Sequence, residues 1–347
     1  MKLLVSALEH SANIHLTSLI KEFTTEIELI GIFDKNLGNP IVDLQSLAIM
    51  GIVDALKKLR YFFKLANEMV ELAKEADKVL LIDSSGFNLP LAKKLKKRYP
   101  DKEIIYYILP QAWAWKKKRI PILARTIDKL ASILPFEPSY YNADAPIEYV
   151  GHPLLDQITE FKTSLNANVK DVAFMPGSRK GEIKKLMPIY LELIQELECR
   201  ATLIIPKHFS QEEVSYLYGD ISGITISHDA HKTLLASDFA FICSGTATLE
   251  ASIIGLPFIL TYIAKPLDFF IGTKIFNITY VGLANIMFQK FKGTTIHPEY
   301  LQNMVTKENL IKCYKEYDRG VFLKHSLELR KYLKHGSSKR VAELIID

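Results

Sequence analysis

Short β-branched runs alternate with stretches of helical periodicity along the whole chain, and this alternation is the strongest constraint that the sequence places on its fold. Strand-length apolar runs fall at residues 2–5, 27–33, 79–82, 104–108 and 130–134, and the pattern restarts at 172–175, 202–205, 223–226, 239–243 and 258–260. Strands separated by helices pair in parallel, because a parallel pair needs a crossover long enough to hold a helix. Between the two series lies the polar, weakly patterned stretch FKTSLNANV at 161–169, after the turn Gly151-His152-Pro153. The expected class is α/β, with two Rossmann-like domains at 1–160 and 161–316 whose parallel sheets face a central cleft. Terminal helices at 317–347 can pack back on the first domain. A length of 347 residues agrees with two domains.

With 48% hydrophobic residues and a net charge of +5, the chain is too apolar to remain disordered. The longest nearly uncharged stretch, 251–264, falls short of the ~20 residues that a spanning helix needs and is broken by Gly255 and Pro257. The opening KLLVSALEH reads as a first strand, not as a signal peptide. Cys199, Cys243 and Cys313 form no C-x-x-C pair, so no zinc site, metal or disulfide framework is expected, and a reduced cytoplasmic setting fits. Charge is uneven: residues 93–129 hold twelve basic and three acidic residues. Such a block serves as a solvated face, a nucleic-acid patch or an anionic-membrane patch, and with no recognition module in the sequence no nucleic acid partner is expected. The segment 44–72 carries more apolar residues than one buried stripe needs, including Ile49, Met50, Ile52, Val53, Leu56, Leu59, Tyr61, Phe62, Phe63 and Leu65. It fits a helix wedged inside the core and equally an interfacial apolar surface flanked by Lys57, Lys58, Arg60 and Lys64.

Three loops hold the residues suited to chemistry. Phe174-Met175-Pro176-Gly177-Ser178-Arg179 leaves a strand, turns and enters a helix, which brings the Ser178 hydroxyl, backbone N–H groups and the Arg179 cation to a positive helix end suited to a phosphate or diphosphate. It lacks Walker A spacing, and an ordinary βα turn with a capping serine has the same form. Cys243-Ser244-Gly245-Thr246 repeats the arrangement with small residues, and Glu250 falls one turn later on the face of Thr246. A carboxylate there can accept the hydroxyls of a ribose. In Tyr280-Val281-Gly282-Leu283-Ala284-Asn285, Asn285 can read a base, hold a sugar hydroxyl or simply form a turn.

Together with Pro110-Gln111-Ala112-Trp113-Ala114-Trp115, Leu134-Pro135-Phe136-Glu137, Tyr149-Val150-Gly151-His152-Pro153-Leu154 and Tyr262-Ile263-Ala264-Lys265-Pro266, these motifs make the sequence resemble the lipid A disaccharide synthases from its first strand to its terminal helix. The resemblance implies a GT-B glycosyltransferase that inverts the anomeric centre. It would join UDP-2,3-diacylglucosamine to 2,3-diacylglucosamine 1-phosphate (lipid X), without a cofactor, at the inner face of the inner membrane of a Gram-negative bacterium. It assigns the UDP moiety to Ser178, Arg179, Ser244, Gly245, Thr246, Glu250 and Asn285, and the N-terminal domain to the acceptor and an anionic membrane surface. A monomer and a homodimer both remain open.

The first domain departs from the family. Where the family's first loop reads Gly-Glu-Ala-Ser-Gly-Asp, this chain has Leu8-Glu9-His10-Ser11-Ala12-Asn13; where the second reads Asp-Ala-Pro-Asp-Phe-Asn, it has Asp83-Ser84-Ser85-Gly86-Phe87-Asn88. Gly86 therefore stands at the position of the family's favoured general base, and glycine cannot take a proton. Glu9 or Asp83 is preferred as its replacement over His10. A nucleotide-sugar-binding protein without catalysis, and another GT-B enzyme such as a UDP-sugar epimerase, are the alternatives.

Overall fold

The computed structural model describes residues 1–42, 55–265 and 279–347. By its internal contacts the chain divides into two units, Met1–Asp156 with Leu333–Asp347, and Gln157–Tyr332.

The first unit is built on a six-stranded sheet of β1 (Lys2–Ser6), β2 (Glu28–Ile32), β3 (Lys78–Ile82), β4 (Glu103–Tyr107), β5 (Lys129–Ser132) and β6 (Ile147–Tyr149), in the order β2-β1-β3-β4-β5-β6. Every pair is parallel. Its helices include α1 (His10–Ile20), α2 (Ala55–Leu72), α3 (Ser85–Arg98) and α4 (Ile120–Thr126). Alternate strand residues feed two cores. Leu4, Val79, Leu81, Ile104 and Tyr106 pack with Leu65 and Met69 of α2, Leu91 and Leu95 of α3, and Leu123 of α4. Leu3, Val5, Leu80, Ile82, Ile105 and Tyr107 pack with Leu16 and Leu19 of α1 and with Val341 and Ile345 of the terminal helix Ser337–Ile346. Burial on both faces explains why these strands read as unbroken apolar runs.

The second unit repeats the plan with β7 (Asp171–Met175), β8 (Arg200–Ile204), β9 (Thr225–Ser227), β10 (Phe239–Cys243), β11 (Phe258–Tyr262) and β12 (Glu299–Leu301), in the order β12-β11-β10-β7-β8-β9 and again all parallel. Its helices are α5 (Lys180–Glu196), α6 (Gln211–Tyr218), α7 (Ala230–Ala236), α8 (Thr246–Ile254), α9 (Leu283–Lys292), α10 (Lys307–Glu316) and α11 (Arg319–Leu333). Phe174, Phe239 and Phe241 of the central strands pack with Met187 and Tyr190 of α5. The sequence pattern missed β6 and β12, three-residue edge strands that follow Pro146 and Pro298 and lack an apolar run.

The second unit extends to Tyr332, past the expected boundary at 316. Side chains of α11 hold it there: Phe322 meets Phe258 edge-on, the Ser326 hydroxyl donates to the Ser252 carbonyl at 2.6 Å, and Tyr332 stacks on Phe291 at 4.2 Å between centroids.

Of the apolar segment 44–72, Ile49, Met50, Ile52 and Val53 lie outside the described residues, as do the side chains of Leu56 and Leu59. The described part of α2 turns Leu65 and Met69 into the core and leaves Phe63 56% exposed. Within 93–129, Lys96 pairs with Asp128 at 2.8 Å and Lys129 with Glu103 at 2.7 Å, whereas Lys93, Lys97, Arg98, Lys117 and Lys118 are exposed. Among the described residues no helix is long and apolar enough to cross a membrane.

Candidate functional site

Strand order locates the site in each unit. In the second sheet the chain runs outward from β7 to β9 and then returns to place β10 on the other side of β7. The loops leaving β7 and β10 therefore diverge and open a crevice at the carboxyl ends of the strands. They are the loops of Ser178-Arg179 and of Ser244-Gly245. In the first sheet the same reversal occurs between β1 and β3, and the loops there carry Glu9 and Asp83.

After β7, Gly177 turns the chain at φ +105°, a conformation strained for any other residue, and a Cβ there would lie 2.6 Å from Oε2 of Glu182. Arg179, not Ser178, is the N-cap residue of α5; Ser178 is exposed beside it. The Arg179 guanidinium donates to Oε1 of Glu182 at 3.0 Å, and its side chain is 79% exposed. With the guanidinium in solvent, the cation is only loosely held and can exchange its partner for an anionic ligand.

After β10, Gly245 caps α8 in extended conformation with no atom within 4 Å of the position that a Cβ would take. Neither backbone nor neighbours require glycine here; the missing side chain leaves the N-terminus of α8 open. First-turn N–H groups without intrahelical partners give that end a positive field suited to an anion. Thr246 is exposed at the same end, and Ser244 Oγ lies 3.5 Å from the Val281 carbonyl, which ties in the third loop. Glu250, half-buried one turn into α8, accepts a hydrogen bond from Nδ1 of His231 at 2.9 Å.

Asn285 differs from expectation. It is fully buried, its Nδ2 donates to Glu299 Oε1 at 2.8 Å and to the His297 carbonyl at 2.9 Å, and its Oδ1 accepts from the N–H groups of Ile296 and His297. All its hydrogen-bonding capacity is used inside the unit, so it offers nothing to a ligand directly. It holds Glu299, whose carboxylate accepts from Val281 N–H at 2.8 Å and Gly282 N–H at 3.0 Å and thereby fills the N-terminus of α9. Burial raises the Glu299 pKa despite those three donors.

In the first unit Glu9 is the exposed N-cap residue of α1, and its Oε1 accepts from the Ser84 hydroxyl at 3.1 Å, joining the two loops. Asp83 and Ser84 stand at φ +51° and +43°, two successive residues in the left-handed region, a strained arrangement of the kind that collects at functional sites. The strain is held by Asp83 N–H donating to the Tyr107 carbonyl at 3.0 Å, and by the Tyr106 hydroxyl and Asn88 Nδ2 both donating to the Asp83 carbonyl at 2.6 and 2.9 Å. Burial first, and then the charge of Glu9, raise the Asp83 pKa above its ordinary value. Gly86 is exposed, with open space where a Cβ would stand. His10 is exposed at the start of α1 and makes no side-chain hydrogen bond among the described residues, so no Glu9–His10 pair forms.

Several supporting residues escaped the sequence reading. Asn13, buried at the start of α1, donates to the carbonyls of Ala7 and Glu9 at 2.8 and 2.9 Å and accepts from Asp34 N–H at 2.8 Å. Buried Asn88, in the first turn of α3, accepts from Ser6 Oγ at 2.6 Å, tying β1 to α3. A polar residue inside an apolar helical start is the only signal either gives; Glu182, His231 and Glu299 give none, because their partners are distant in sequence or unremarkable helix neighbours. Among the described residues no cluster of three or more His, Cys, Asp or Glu could hold a metal ion.

Comparison with known proteins gives the fold and the family. Among solved structures, MurG of Acinetobacter baumannii superposes with a TM-score of 0.60 at 13% identity over 99% of each chain. The glycosyltransferase SnogD of Streptomyces nogalater gives 0.60 at 13% over 99% of this chain and 98% of its own. The fold is thus that of the GT-B glycosyltransferases. The lipid-A-disaccharide synthase of Helicobacter pylori strain G27 is 47% identical over 98% of this chain and 96% of its own, and that of Campylobacter jejuni strain RM1221 is 43% identical over 99% and 98%. The family model for lipid-A-disaccharide synthetase matches residues 3–335, and the chain belongs to that family.

Proposed function

We propose that the chain joins UDP-2,3-diacylglucosamine to 2,3-diacylglucosamine 1-phosphate, forming the β(1→6) disaccharide of lipid A and releasing UDP. Family membership selects this reaction; the observation that carries the site is the open N-terminus of α8 at the β7–β10 reversal, with Arg179 on the neighbouring loop and Glu250 one turn into the helix. The diphosphate lies against the N-termini of α5 and α8, Arg179 leaves Glu182 for it, and the hydroxyls of Ser178, Ser244 and Thr246 complete the contacts. Glu250 accepts the ribose hydroxyls, and Asn285 acts through Glu299 by fixing the 281–283 loop.

In the reaction the acceptor's 6-hydroxyl attacks C1 of the donor sugar from the face opposite UDP. The C1–O bond to UDP breaks with its electron pair passing to the phosphate oxygen, the new C1–O bond forms with inversion, and the hydroxyl proton passes to a carboxylate. Donors fixed where charge develops on the leaving group lower the barrier without reorganising. Asp83 is the better base of the two candidates, because burial and the charge of Glu9 both strengthen its hold on a proton. The substrates are acylated, and exposed Phe63 with Lys93, Lys97 and Arg98 suits an anionic membrane surface at the inner face of the inner membrane.

The test is to mix the protein with both substrates and follow UDP and disaccharide by mass spectrometry. Formation of both is expected. Binding of UDP without any turnover would sink the transferase reading in favour of a nucleotide-sugar-binding protein.

A further inference from the structure

We infer that His231 is a positioning residue for the nucleotide: it fixes the Glu250 carboxylate in the orientation that accepts the ribose hydroxyls. The inference rests on the donor site proposed above. His231 stands in the first turn of α7, which starts just beyond β9 and therefore at the same carboxyl end of the sheet as the loops after β7 and β10. Its Nδ1 lies 2.9 Å from Oε1 of Glu250. An ionised carboxylate can only accept, so Nδ1 carries the proton and the imidazole donates.

The support for His231 is itself well anchored. The Asp229 side chain caps α7 by accepting from Lys232 N–H at 3.0 Å, the neighbouring His228 ring places Nδ1 2.7 Å from the Ile205 carbonyl, and Leu234 is fully buried. Glu250, by contrast, has a long side chain that is 22% exposed, and among the described residues its Oε2 has no hydrogen-bond partner. Oε1 is thus held to a neighbouring helix while keeping a second lone pair, and Oε2 is unmet, so both oxygens can still accept from a ligand. A vicinal diol needs both oxygens presented in one plane, and a carboxylate already held there loses less freedom on binding. His231 touches no substrate in this arrangement; it acts through Glu250.

Calorimetric binding of UDP and of 2′,3′-dideoxy-UDP, with donor kinetics alongside, tests this. His231→Ala is expected to weaken UDP binding and raise the donor KM by about tenfold, the loss of one charge-assisted hydrogen bond, with kcat little changed. Against 2′,3′-dideoxy-UDP the variant should bind as the unmodified protein does. His231→Asn, whose amide nitrogen stands near the place of Nδ1, should recover most of the UDP affinity. Equal losses for the two nucleotides, no recovery by Asn, or unchanged UDP binding by His231→Ala each overturn the inference. Glu250→Ala separates the two levels. If it weakens UDP binding while His231→Ala does not, only the role of His231 fails; if it leaves UDP binding unchanged, the donor site itself is misplaced and this inference falls with it.

Discussion

Gly86→Asp probes the departure that most affects the chemistry, and the structure sets its expected size. Gly86 is the second residue of α3, its backbone is not left-handed, and no atom lies within 4 Å of an added Cβ. An Asp therefore enters without a clash. Replacing a helical glycine by Asp gains about 0.3 kcal/mol in propensity. A carboxylate in the first turn adds ~0.3–1 kcal/mol through the helix dipole, part of which the charges of Asp83 and Glu9 offset. The net gain of roughly 0.5–1 kcal/mol corresponds to a rise of about 1–4 °C in the melting of the first unit. Scanning calorimetry reads that rise, and a fall in melting temperature would refute the open space around Gly86. The chemical arm uses Asp83→Asn, because Asn tolerates the left-handed conformation at φ +51° where other residues are strained. Loss of a general base lowers turnover by about 10²–10⁴-fold. Adding Gly86→Asp to Asp83→Asn should restore at least a tenfold share of it, since the new carboxylate stands in the same short loop. Undiminished turnover in Asp83→Asn, or no recovery in the double variant, would move the base away from this loop.

Three further outcomes follow from buried groups. Asn285→Ala leaves Glu299 and the N–H groups of Ile296 and His297 without their partner, so the urea midpoint of the second unit should fall by an equivalent of about 3 kcal/mol or more; a loss under 1 kcal/mol would contradict the network. Gly177→Ala places a Cβ 2.6 Å from Glu182 Oε2 at a positive φ, so both melting temperature and UDP affinity should drop, and a variant that binds UDP normally would show that the loop's course does not matter to the nucleotide. Burial pushes His152 down to about 3, below the 6.5 of an unfolded histidine, so its contribution is present above pH ~6.5 and is lost as pH falls from there toward the folded value. His152→Asn should accordingly lower stability at pH 7 yet flatten its decline between pH 7 and 5 in denaturant titrations, and an unchanged slope would be inconsistent with a buried neutral imidazole.

The parallel sheets were legible because their central strands, buried on both faces, have no polar alternation to disguise them; among the described residues β6 and β12, short edges after prolines, were the strands that the pattern missed. The reversal points were not legible, since pairing order is a matter of which strands meet and nothing in a single strand states its neighbour. Arg179, Gly245 and Glu250 could be singled out as candidates because strand, small residue and helix follow one another locally. Asn285 was singled out by the same local rule, which could not show its partner Glu299, fourteen residues on and on an edge strand that has no pattern. His231 escaped for a similar reason, lying nineteen residues before its partner on a different helix.

The helices α5, α8 and α9 look alike in sequence, each entered from a turn containing glycine, yet their N-termini differ in charge. At α9 the Glu299 carboxylate already accepts from Val281 and Gly282, and Gly282 is tight against it, with only 2.9 Å from an added Cβ to Glu299 Oε1. A second anion there would meet a like charge in a buried setting. At α5 the Glu182 carboxylate lies beneath Gly177 and holds Arg179, so an incoming phosphate meets a cation that is weakly engaged on one side and a carboxylate that is 12% exposed on the other. At α8, among the described residues, no acidic side chain occupies the first turn, and Gly245 keeps its mouth clear. Since an anion binds where N–H groups are unmet and no negative charge precedes it, the proposed donor site would take its diphosphate chiefly at α8, with α5 contributing through Arg179. In the proposed site the third loop would form a wall, held by its own carboxylate and joined to the α8 entrance where Ser244 approaches Val281.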